Sequence, residues 1–404
     1  MHRLVHQRSW RGHALLWVGC CLLLLLGSCG GGSSLAGGVD SGGTGSITTL
    51  ASGPLSGLGS AIVNGVRFDV GSATIVDEDG NSITADQLSL GMVAKIESTT
   101  VQSANGQATA TASSVLIRSQ LVGPVDSVDL VAQSVVVLGQ TVQITPATWL
   151  DSALTGGLAG SLVGSVIEVY GQFDLNRNQY VATRIAAHLD HSAYKIAGLV
   201  QAVDAMANTL TVGSQVFSYA LLAPANVPTL AVGDFVRVRI ATHAIGGVWR
   251  ALAVAVGHFE LPDRKDVRLK GRIHGWNSTR SFHLDGIRIN AAQALFVGAE
   301  SAAVVGARVT VKGYSSGGAV TATEVSIDGD ETAANSVFEL HGSIDALDRG
   351  MQTLVVHGVR VSFSGQTSYL GGTAGDLALG KKIKVLGVVA ADRSSVAAQS
   401  IAYE

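Results

Sequence analysis

Three residues in one short segment carry side chains that commonly bind divalent metals: His188, Asp190 and His191. Imidazole and carboxylate groups suit zinc and related ions. No third histidine lies nearby, so the set is incomplete for a closed site. We predict that the segment is a solvated linker and that the chain holds no metal. In the alternative, in which a metal binds, these three residues are the candidate ligands.

Four further histidines occupy positions that could face each other across β-hairpins. His274 pairs with His283 in this interpretation, and His341 pairs with His357. Cross-strand neighbours of this kind lie close enough to interact. Such pairs are more often found on the surface than in metal sites, and we interpret them as surface residues.

Three short motifs are similar to functional loops but fit turns better. Gly313-Tyr314-Ser315-Ser316-Gly317 matches the hydrolase elbow, which needs a helix after it, whereas a strand-like segment follows here. Residues 174–178 resemble the start of a calcium loop, but Gln179 and Ile185 replace its glycine and its acid. Residues 77–81 contain three carboxylates within a sequence that is typical of a turn. Weak calcium binding by these carboxylates is the alternative. No convergent catalytic set is recognisable, so we predict no enzyme and no cofactor.

The amino-terminal residues predict export and lipidation. Three arginines and no acidic residue precede an apolar run over residues 14–26. As a helix this run covers about 20 Å, short of a roughly 30 Å hydrocarbon core and typical of a secretion signal. Leu26-Gly27-Ser28-Cys29 resembles the lipobox of bacterial lipoproteins. The resemblance implies cleavage before Cys29 and acyl chains, such as palmitate, that attach the chain to a membrane. Gly30 follows instead of aspartate, so we predict the outer membrane, on either face.

Composition excludes several kinds of site and partner. Cys20 and Cys21 lie in the predicted signal, so the mature chain has no thiol for a disulfide-linked partner, thiolate catalysis or a cysteine metal site. The whole chain has 27 basic and 30 acidic residues, and residues 1–28 hold three of the basic ones and no acid. The remainder, 24 against 30, gives a net charge of −6. Such a surface repels phosphate backbones, and we predict no nucleic-acid partner.

Beyond a stretch rich in glycine and serine, the sequence repeats about every 70 residues. Each glycine of a first series is followed, after three and five residues, by small or apolar side chains that flank a polar one. This period-two alternation predicts a strand with one wet face. Glycines of a second series lie between strand-like runs and predict tight turns. The first series is Gly91, Gly164, Gly233, Gly306 and Gly380, and the second is Gly65, Gly139, Gly213, Gly286 and Gly358.

Each repeat thus holds about five short strands, and closing them into a barrel removes the exposed edges. We predict an all-β fold of tandem five-stranded barrels, similar in size to OB-type barrels, with sandwich-like units as the alternative. The predicted domains are a signal peptide over 1–28, a flexible tether over 29–55, and β repeats over 56–120, 121–192, 193–265, 266–334 and 335–404. The connectors between repeats are short, which favours a semi-rigid rod.

The first repeat also resembles a known family. The residues that carry the resemblance are Gly59, Ser60, Ile62, Asn64, Gly65, Val66, Phe68 and Gly91-Met92-Val93. They are similar to a family of bacterial lipoproteins with tandem domains of unknown function, of the DUF5666 type. The segment Cys29-Gly30-Gly31-Gly32-Ser33 is similar to the start of those proteins. The resemblance covers most of residues 56–404 and implies fold and cellular address, but no activity.

Three functions are compatible with these features. We predict a non-catalytic structural or interaction module of the cell envelope that docks another envelope protein or a polysaccharide. The alternative is a carbohydrate or small-ligand binding module, in which Trp149, Trp249 and Trp276 would stack on sugars. Each of these tryptophans lies at a different place in its repeat, which disfavours a repeated sugar site. The third possibility is a metal-dependent hydrolase around His188.

Overall fold

The computed structural model describes residues 48–154, 162–174, 176–189, 192–257, 261–284, 286–329 and 336–404. The predicted signal, Cys29, residues 29–47 of the predicted tether, Asp190 and His191 lie outside these ranges. Most of the secondary structure in these ranges consists of strands. Single-turn 3-10 segments occur at Ala85–Gln87, Pro224–Asn226, Glu300–Ala302 and Ala374–Asp376. No helix within the described ranges combines the length and the hydropathy needed to cross a bilayer.

The strands fall into five consecutive groups, which we number barrels 1 to 5. Barrel 1 contains β1 (Thr49–Pro54), β2 (Gly57–Leu58), β3 (Ala61–Val63), β4 (Val66–Asp69), β5 (Thr74–Asp77), β6 (Val93–Ser98), β7 (Gln102–Ala104) and β8 (Gln107–Arg118). Barrel 2 contains β9 (Leu121–Asp129), β10 (Ser134–Val137), β11 (Gln140–Leu150), β12 (Val166–Asp174) and β13 (Gln179–Ala187). Barrel 3 contains β14 (Tyr194–Asp204), β15 (Thr209–Val212), β16 (Gln215–Ser218), β17 (Phe235–Ile245) and β18 (Val248–Val256).

The last two groups have the same order. Barrel 4 contains β19 (Arg264–Ser278), β20 (Ser281–Leu284), β21 (Ile287–Asn290), β22 (Leu295–Val297), β23 (Arg308–Ser316) and β24 (Ala319–Ile327). Barrel 5 contains β25 (Val337–Ser343), β26 (Ala346–Asp348), β27 (Thr353–Val356), β28 (Val359–Ser362), β29 (Ser368–Leu370), β30 (Lys382–Val389) and β31 (Ser395–Tyr403).

Each group closes on itself, as barrel 2 shows most simply. Strands β9, β10 and β11 form an antiparallel meander, and β11 then pairs in parallel with β13. Strand β12 lies between β13 and β9, antiparallel to both, and completes the ring. The equivalent pairings close barrels 1, 3, 4 and 5. The prediction of tandem five-stranded barrels is therefore confirmed, and the sandwich alternative is wrong.

Period-two alternation produces the cores. In β23 the side chains of Val309 and Val311 are fully buried, and Thr310 between them is not. In β30 the same holds for Ile383 and Val385. Barrels 1 and 5 share one cluster of buried apolar side chains, barrels 2 and 3 share another, and barrel 4 has a third. The barrels are thus fused in part through common cores.

A β-bulge recurs in the last strand of every barrel, where one residue is skipped in the pairing with the partner strand. The register shifts next to Ser98, Gly171, Ile240, Gly313 and Gly387. Such bulges bend a strand and increase its twist, which a small barrel needs in order to close. Where the residue opposite the bulge is glycine, the bulged strand comes very close: a Cβ on Gly387 would lie 2.4 Å from the carbonyl oxygen of Ala397.

Strand pairing between barrels joins repeats that are distant in sequence. Strand β1 of barrel 1 pairs in parallel with β19 of barrel 4, and β2 pairs in parallel with β25 of barrel 5. Strand β14 of barrel 3 pairs with β9 of barrel 2. The described barrels belong to one compact unit. The prediction of a semi-rigid rod is therefore wrong, because the opening segment of barrel 1 pairs with barrels 4 and 5 instead of only with its neighbour in sequence.

The predicted tether extends too far into the folded part. Thr49, Leu50 and Ala51 belong to β1 and are fully buried. Leu50 packs in the core of barrel 4, whereas Ala51 packs in the core of barrel 1. Alternating side chains of one strand therefore fill two cores. The prediction of flexibility over 29–55 is wrong for these residues because their burial depends on a strand that follows more than 200 residues later.

Candidate functional site

Of the three candidate metal ligands, the structure describes only His188. His188 Nδ1 lies 3.6 Å from Glu168 Oε2 at the end of barrel 2. Burial raises the pKa of Glu168, but hydrogen bonds from His188 and Ser119 outweigh it, so the pKa lies below its usual range. No cluster of three potential ligands occurs among the described residues. The structure brings His188 to a carboxylate, and the other two candidate ligands, Asp190 and His191, lie outside the described residues.

The two predicted histidine pairs differ from one another. The rings of His274 and His283 lie 6.3 Å apart between centroids, and His274 Nε2 accepts a hydrogen bond of 2.9 Å from the backbone of Gly286. Burial, and secondly His283, lower the pKa of His274 to about 4. His357 Nε2 instead contacts the carbonyl oxygen of His341 at 2.6 Å. The first pair is thus partly buried and structural, and the second is not a ring-to-ring contact.

The elbow-like motif is a hairpin, as predicted. Gly313 lies on β23 opposite the bulge of β24, and β24 follows after the turn. Ser315 is 4% exposed, and its hydroxyl donates to Pro262 O at 2.6 Å and accepts from Arg264 N at 2.8 Å. A serine that is buried and bonded in this way cannot serve as an accessible nucleophile.

The two calcium-like segments are also turns. The Asp174 carboxylate is fully buried, accepts from Asn176 N at 3.0 Å and pairs with Arg177 at 2.9 Å. Asp77 Oδ1 accepts from the backbone of Asp79 and Asn81, at 2.9 and 2.8 Å. These carboxylates hold their own turns together, which is the role the turn interpretation assigns to them.

The tryptophans do not form a repeated platform. Trp149 is 6% exposed and packs edge-on against Phe338, with 6.0 Å between ring centroids. Trp249 donates a hydrogen bond of 2.9 Å to Gln215. Trp276 is 39% exposed. Sugar stacking needs an accessible ring face, and of the three only Trp276 is exposed to a large extent.

A cluster of charges joins barrel 1 to barrel 3. Glu78 accepts from Lys195 Nζ at 3.2 Å and from Arg237 Nη1 at 2.8 Å. Asp79 pairs with Lys195 at 2.6 Å. Glu78, Lys195 and Arg237 have side chains that are 15, 18 and 16% exposed, so solvent screens these pairs weakly. Two of the carboxylates in the possible calcium turn are thus paired with cations of another barrel.

A second cluster joins barrel 1 to barrel 5. Arg67 forms an ion pair with Glu339, and Lys384 Nζ lies 3.5 Å from the same carboxylate. His341 Nε2 contacts Glu339 at 2.6 Å. Burial opposes ionisation, but the hydrogen bonds from His341 and Arg67 outweigh it and lower the pKa of Glu339 to about 2. Glu339 is therefore held as a carboxylate by three cationic or donor groups.

A cleft of about 1,090 Å³ has walls from barrels 1, 2 and 5. Its volume slightly exceeds the roughly 300–1,000 Å³ that is typical of small-molecule sites. Aliphatic side chains line much of it: Leu58, Leu88, Leu90, Leu130, Leu150, Leu154, Val355 and Val359. Its charged side chains are Asp86, Asp151, Arg184, Arg360, Asp392 and Arg393. We take this cleft as the candidate functional site.

Sequence reasoning did not identify the cleft or the two charge clusters as sites, although it named some of their residues as turn or surface residues. One signal was available: arginine stands two residues after the second-series glycine in three of the repeats, at Arg67, Arg288 and Arg360. Only the apolar residue that follows each of these arginines contributed to the strand prediction. Glu339, the carboxylate partner of Arg67, comes from another repeat, and no local pattern marks it.

Comparisons with known proteins show family but not activity. A family model described as "Domain of unknown function (DUF5666)" matches residues 44–112, 122–186, 197–255, 270–326 and 341–402. No curated protein matches the chain. A solved structure titled "drosophila Unr CSD456" is 11% identical and covers 54% of this chain and 99% of its own, with a TM-score of 0.14. A TM-score this low supports no statement about fold or function.

Proposed function

The chain belongs to this family of domains of unknown function, DUF5666, and from that premise we propose that it is an exported lipoprotein that acts as a non-catalytic interaction module of the cell envelope. One observation carries the proposal: strand pairing between barrels 1, 4 and 5, and between barrels 2 and 3, holds repeats together in fixed register. A surface fixed in this way loses little conformational freedom when it binds a partner.

The anchor is Cys29 in this proposal. The lipobox-like run that ends there supports lipidation, and two or more acyl chains hold a protein at a membrane far better than one. Gly30 supports the outer membrane as the destination. The partner is another envelope protein or a surface polysaccharide, with which the barrels dock.

Radiolabelled or clickable palmitate tests the anchor. We expect the wild-type chain to incorporate the label and to fractionate with the outer membrane. Cys29→Ala should abolish labelling because it removes the acylated thiol. Cys21→Ala is the matched control, since that cysteine lies in the predicted signal, and its labelling should equal that of the wild type. Labelling that persists in Cys29→Ala would contradict the proposed anchor.

A second candidate, saccharide binding, has one observation in its favour. Trp276 is 39% exposed near the end of β19 in barrel 4, so its ring could stack on a sugar. A glycan array probed with the wild-type chain and with Trp276→Ala tests this candidate. A glycan that binds the wild type and loses affinity in the variant supports it, and no glycan signal above background removes it.

A further inference from the structure

Every barrel contains the same four-residue turn, which we name the apolar turn. A backbone hydrogen bond of 2.9–3.2 Å joins its fourth residue to its first. Its third residue is the glycine of the first series, with φ between 76 and 91°, as in a type II turn. Its second residue is always valine or leucine, although turns favour glycine, proline and small polar residues. The five turns are residues 89–92, 162–165, 231–234, 304–307 and 378–381, and their second residues are Leu90, Val163, Val232, Val305 and Leu379.

In barrel 1 the apolar turn is covered by barrel 2. Leu90 is 1% exposed and lies in a buried cluster that also contains Trp149 of barrel 2. Thr183 Oγ1 donates a hydrogen bond of 2.6 Å to the carbonyl oxygen of Gly91. Arg184 Nη1 lies 3.5 Å from the carbonyl oxygen of Leu90. Both donors belong to β13, so the last strand of barrel 2 lies directly against the turn.

In barrel 4 the apolar turn contacts the same hairpin of barrel 2. The side-chain amide of Asn176, in the turn between β12 and β13, donates a hydrogen bond to the carbonyl oxygen of Val305. A Cβ on Gly306 would lie 2.7 Å from Asn176 Nδ2. Val305 itself is partly buried. The hairpin formed by the last two strands of barrel 2 therefore covers the apolar turns of two other barrels.

In barrel 3 no described residue covers the apolar turn. Val232 is 68% exposed, and a Cβ on Gly233 would have no atom within 4 Å. The carbonyl oxygens of these two residues accept no hydrogen bond from any residue of the described ranges. Residues 219–233, the loop that leads into the turn, contain no charged side chain, and Leu221 within it is 76% exposed. Asp234, which ends the turn, accepts a hydrogen bond of 2.7 Å from the backbone of Ala231.

Barrels 2 and 5 also expose the second residue of the turn, but in other surroundings. Val163 is 59% exposed and Leu379 is 67% exposed. In barrel 5 the turn ends with Lys381, and Lys382 follows it. In barrel 2 the residues before the turn, 155–161, lie outside the described ranges. Barrel 3 therefore combines an uncovered turn with an uncharged loop that the structure describes, which is typical of a contact surface.

Barrel 3 also presents the kind of element that covers the turns of barrels 1 and 4. Its last two strands, β17 and β18, form a hairpin equivalent to that of β12 and β13. Ile245 in its turn is 83% exposed. The residues of β18 equivalent to those of β13 that contact barrel 1 are Leu252 and Ala253, and neither is fully buried. The receiving surface is therefore apolar in barrel 3.

One chain cannot cover the turn of barrel 3 with the hairpin of the same barrel. The apolar turn precedes β17 and the hairpin turn lies at its end, and β17 has 11 residues. At about 3.3 Å per residue, the strand separates the two elements by about 35 Å. A second copy of the chain can offer its hairpin instead, because contacts between two different surfaces join separate subunits.

We propose that copies of the chain associate through barrel 3, with the apolar turn of one copy docked against the β17–β18 hairpin of another. The contact removes Val232 and Ile245 from water, which is favourable for apolar side chains. The chain itself contains the precedent, because the hairpin of barrel 2 covers the equivalent turns of barrels 1 and 4. Self-association goes beyond the proposed function and does not depend on an anchor at Cys29.

Sedimentation velocity of the full chain in excess detergent micelles tests the proposal. Every sample has the three cysteines changed to alanine, so that neither acyl chains nor native thiols join two copies. We expect the mass to rise with concentration, and Val232→Asp and Ile245→Asp each to raise Kd at least about tenfold, since each places a charge in an apolar contact. The matched control is Val131→Asp, at a valine that is 97% exposed on the β9–β10 turn, and its Kd should stay within about twofold. All three positions are exposed, so the urea midpoints should equal that of the parent chain.

Disulfide formation identifies the two surfaces. In the same cysteine-free background, chains with Val232→Cys are mixed with chains with Ile245→Cys and oxidised with copper phenanthroline. The mixture should form a covalent dimer, because the turn of one copy meets the hairpin of the other. The control mixture pairs Val131→Cys with Ile245→Cys and should give no covalent dimer above the level of either variant alone.

Three results would overturn the proposal. One is a chain that stays monomeric at every concentration reached. Another is self-association that responds equally to Val232→Asp and Val131→Asp. The third is a monomeric chain that binds vesicles of phosphatidylethanolamine and phosphatidylglycerol and loses this binding in Val232→Asp, which would assign the apolar turn to a lipid surface.

Discussion

The charge cluster between barrels 1 and 3 predicts a large effect of one conservative change. Glu78→Gln preserves the shape of the side chain but removes the negative charge that Lys195 and Arg237 share. Asp79 remains beside Lys195, and the carbonyl oxygen of Ser119 remains 3.1 Å from Arg237 Nη1. The variant therefore weakens the cluster without leaving either cation wholly unpaired.

The size of the effect follows from burial. Breaking a fully buried pair costs about 3–5 kcal/mol, whereas a surface pair contributes about 0–1 kcal/mol. With side chains that are 15–18% exposed and substitute partners in place, we expect Glu78→Gln to lower the free energy of unfolding by about 2 kcal/mol. Arg237→Gln combined with Glu78→Gln should cost less than the sum of the two single changes, because the variants share a partner.

Urea unfolding, followed by circular dichroism and tryptophan fluorescence, measures the change. Glu324→Gln is the matched control, since Glu324 pairs with Lys312 at 2.8 Å within barrel 4 and the two side chains are 29 and 41% exposed. That variant should cost less than about 0.5 kcal/mol. Equal losses in the two variants, or strictly additive effects of Glu78→Gln and Arg237→Gln, would refute the reasoning.

Two further predictions concern protonation and close packing. The pKa of His274 is about 4 in the folded chain and 6.5 otherwise, so folding favours its neutral form. Its contribution is complete above pH 6.5 and should decline as the pH falls from 6.5 towards 4, because the unfolded chain takes up a proton that the buried imidazole beside His283 does not. Thermal unfolding across that range should show the decline in the wild type and a flatter profile in His274→Gln; parallel profiles would contradict it. Gly387→Ala should lower the free energy of unfolding by about 1–3 kcal/mol, because its Cβ would lie 2.4 Å from the Ala397 carbonyl oxygen. Gly365→Ala, with no atom within 4 Å of the new Cβ, is the control in the same denaturation assay, and equal losses would argue against the close contact.

Local patterns in the sequence determined the main strands and the turns of each repeat. Val309-Thr310-Val311 and Ile383-Lys384-Val385 predicted strands with one buried face, and the structure shows that burial. Alternation can be recognised in the sequence because one face of each strand contacts the core of its own barrel, independently of the other barrels. The 70-residue period supported the prediction of strands, because the same pattern of short strands recurs in each repeat.

Tertiary structure alone decided how the barrels join and where the cleft lies. The pairing of β1 with β19 buries Thr49 and Leu50. The sequence alone predicted that these two residues belong to a flexible tether. Glu78 meets Arg237 across 159 positions of sequence, and no periodic signal extends over that separation. Contacts between barrels depend on the shape and charge of two folded surfaces, whereas periodicity reports only how each strand meets its own core.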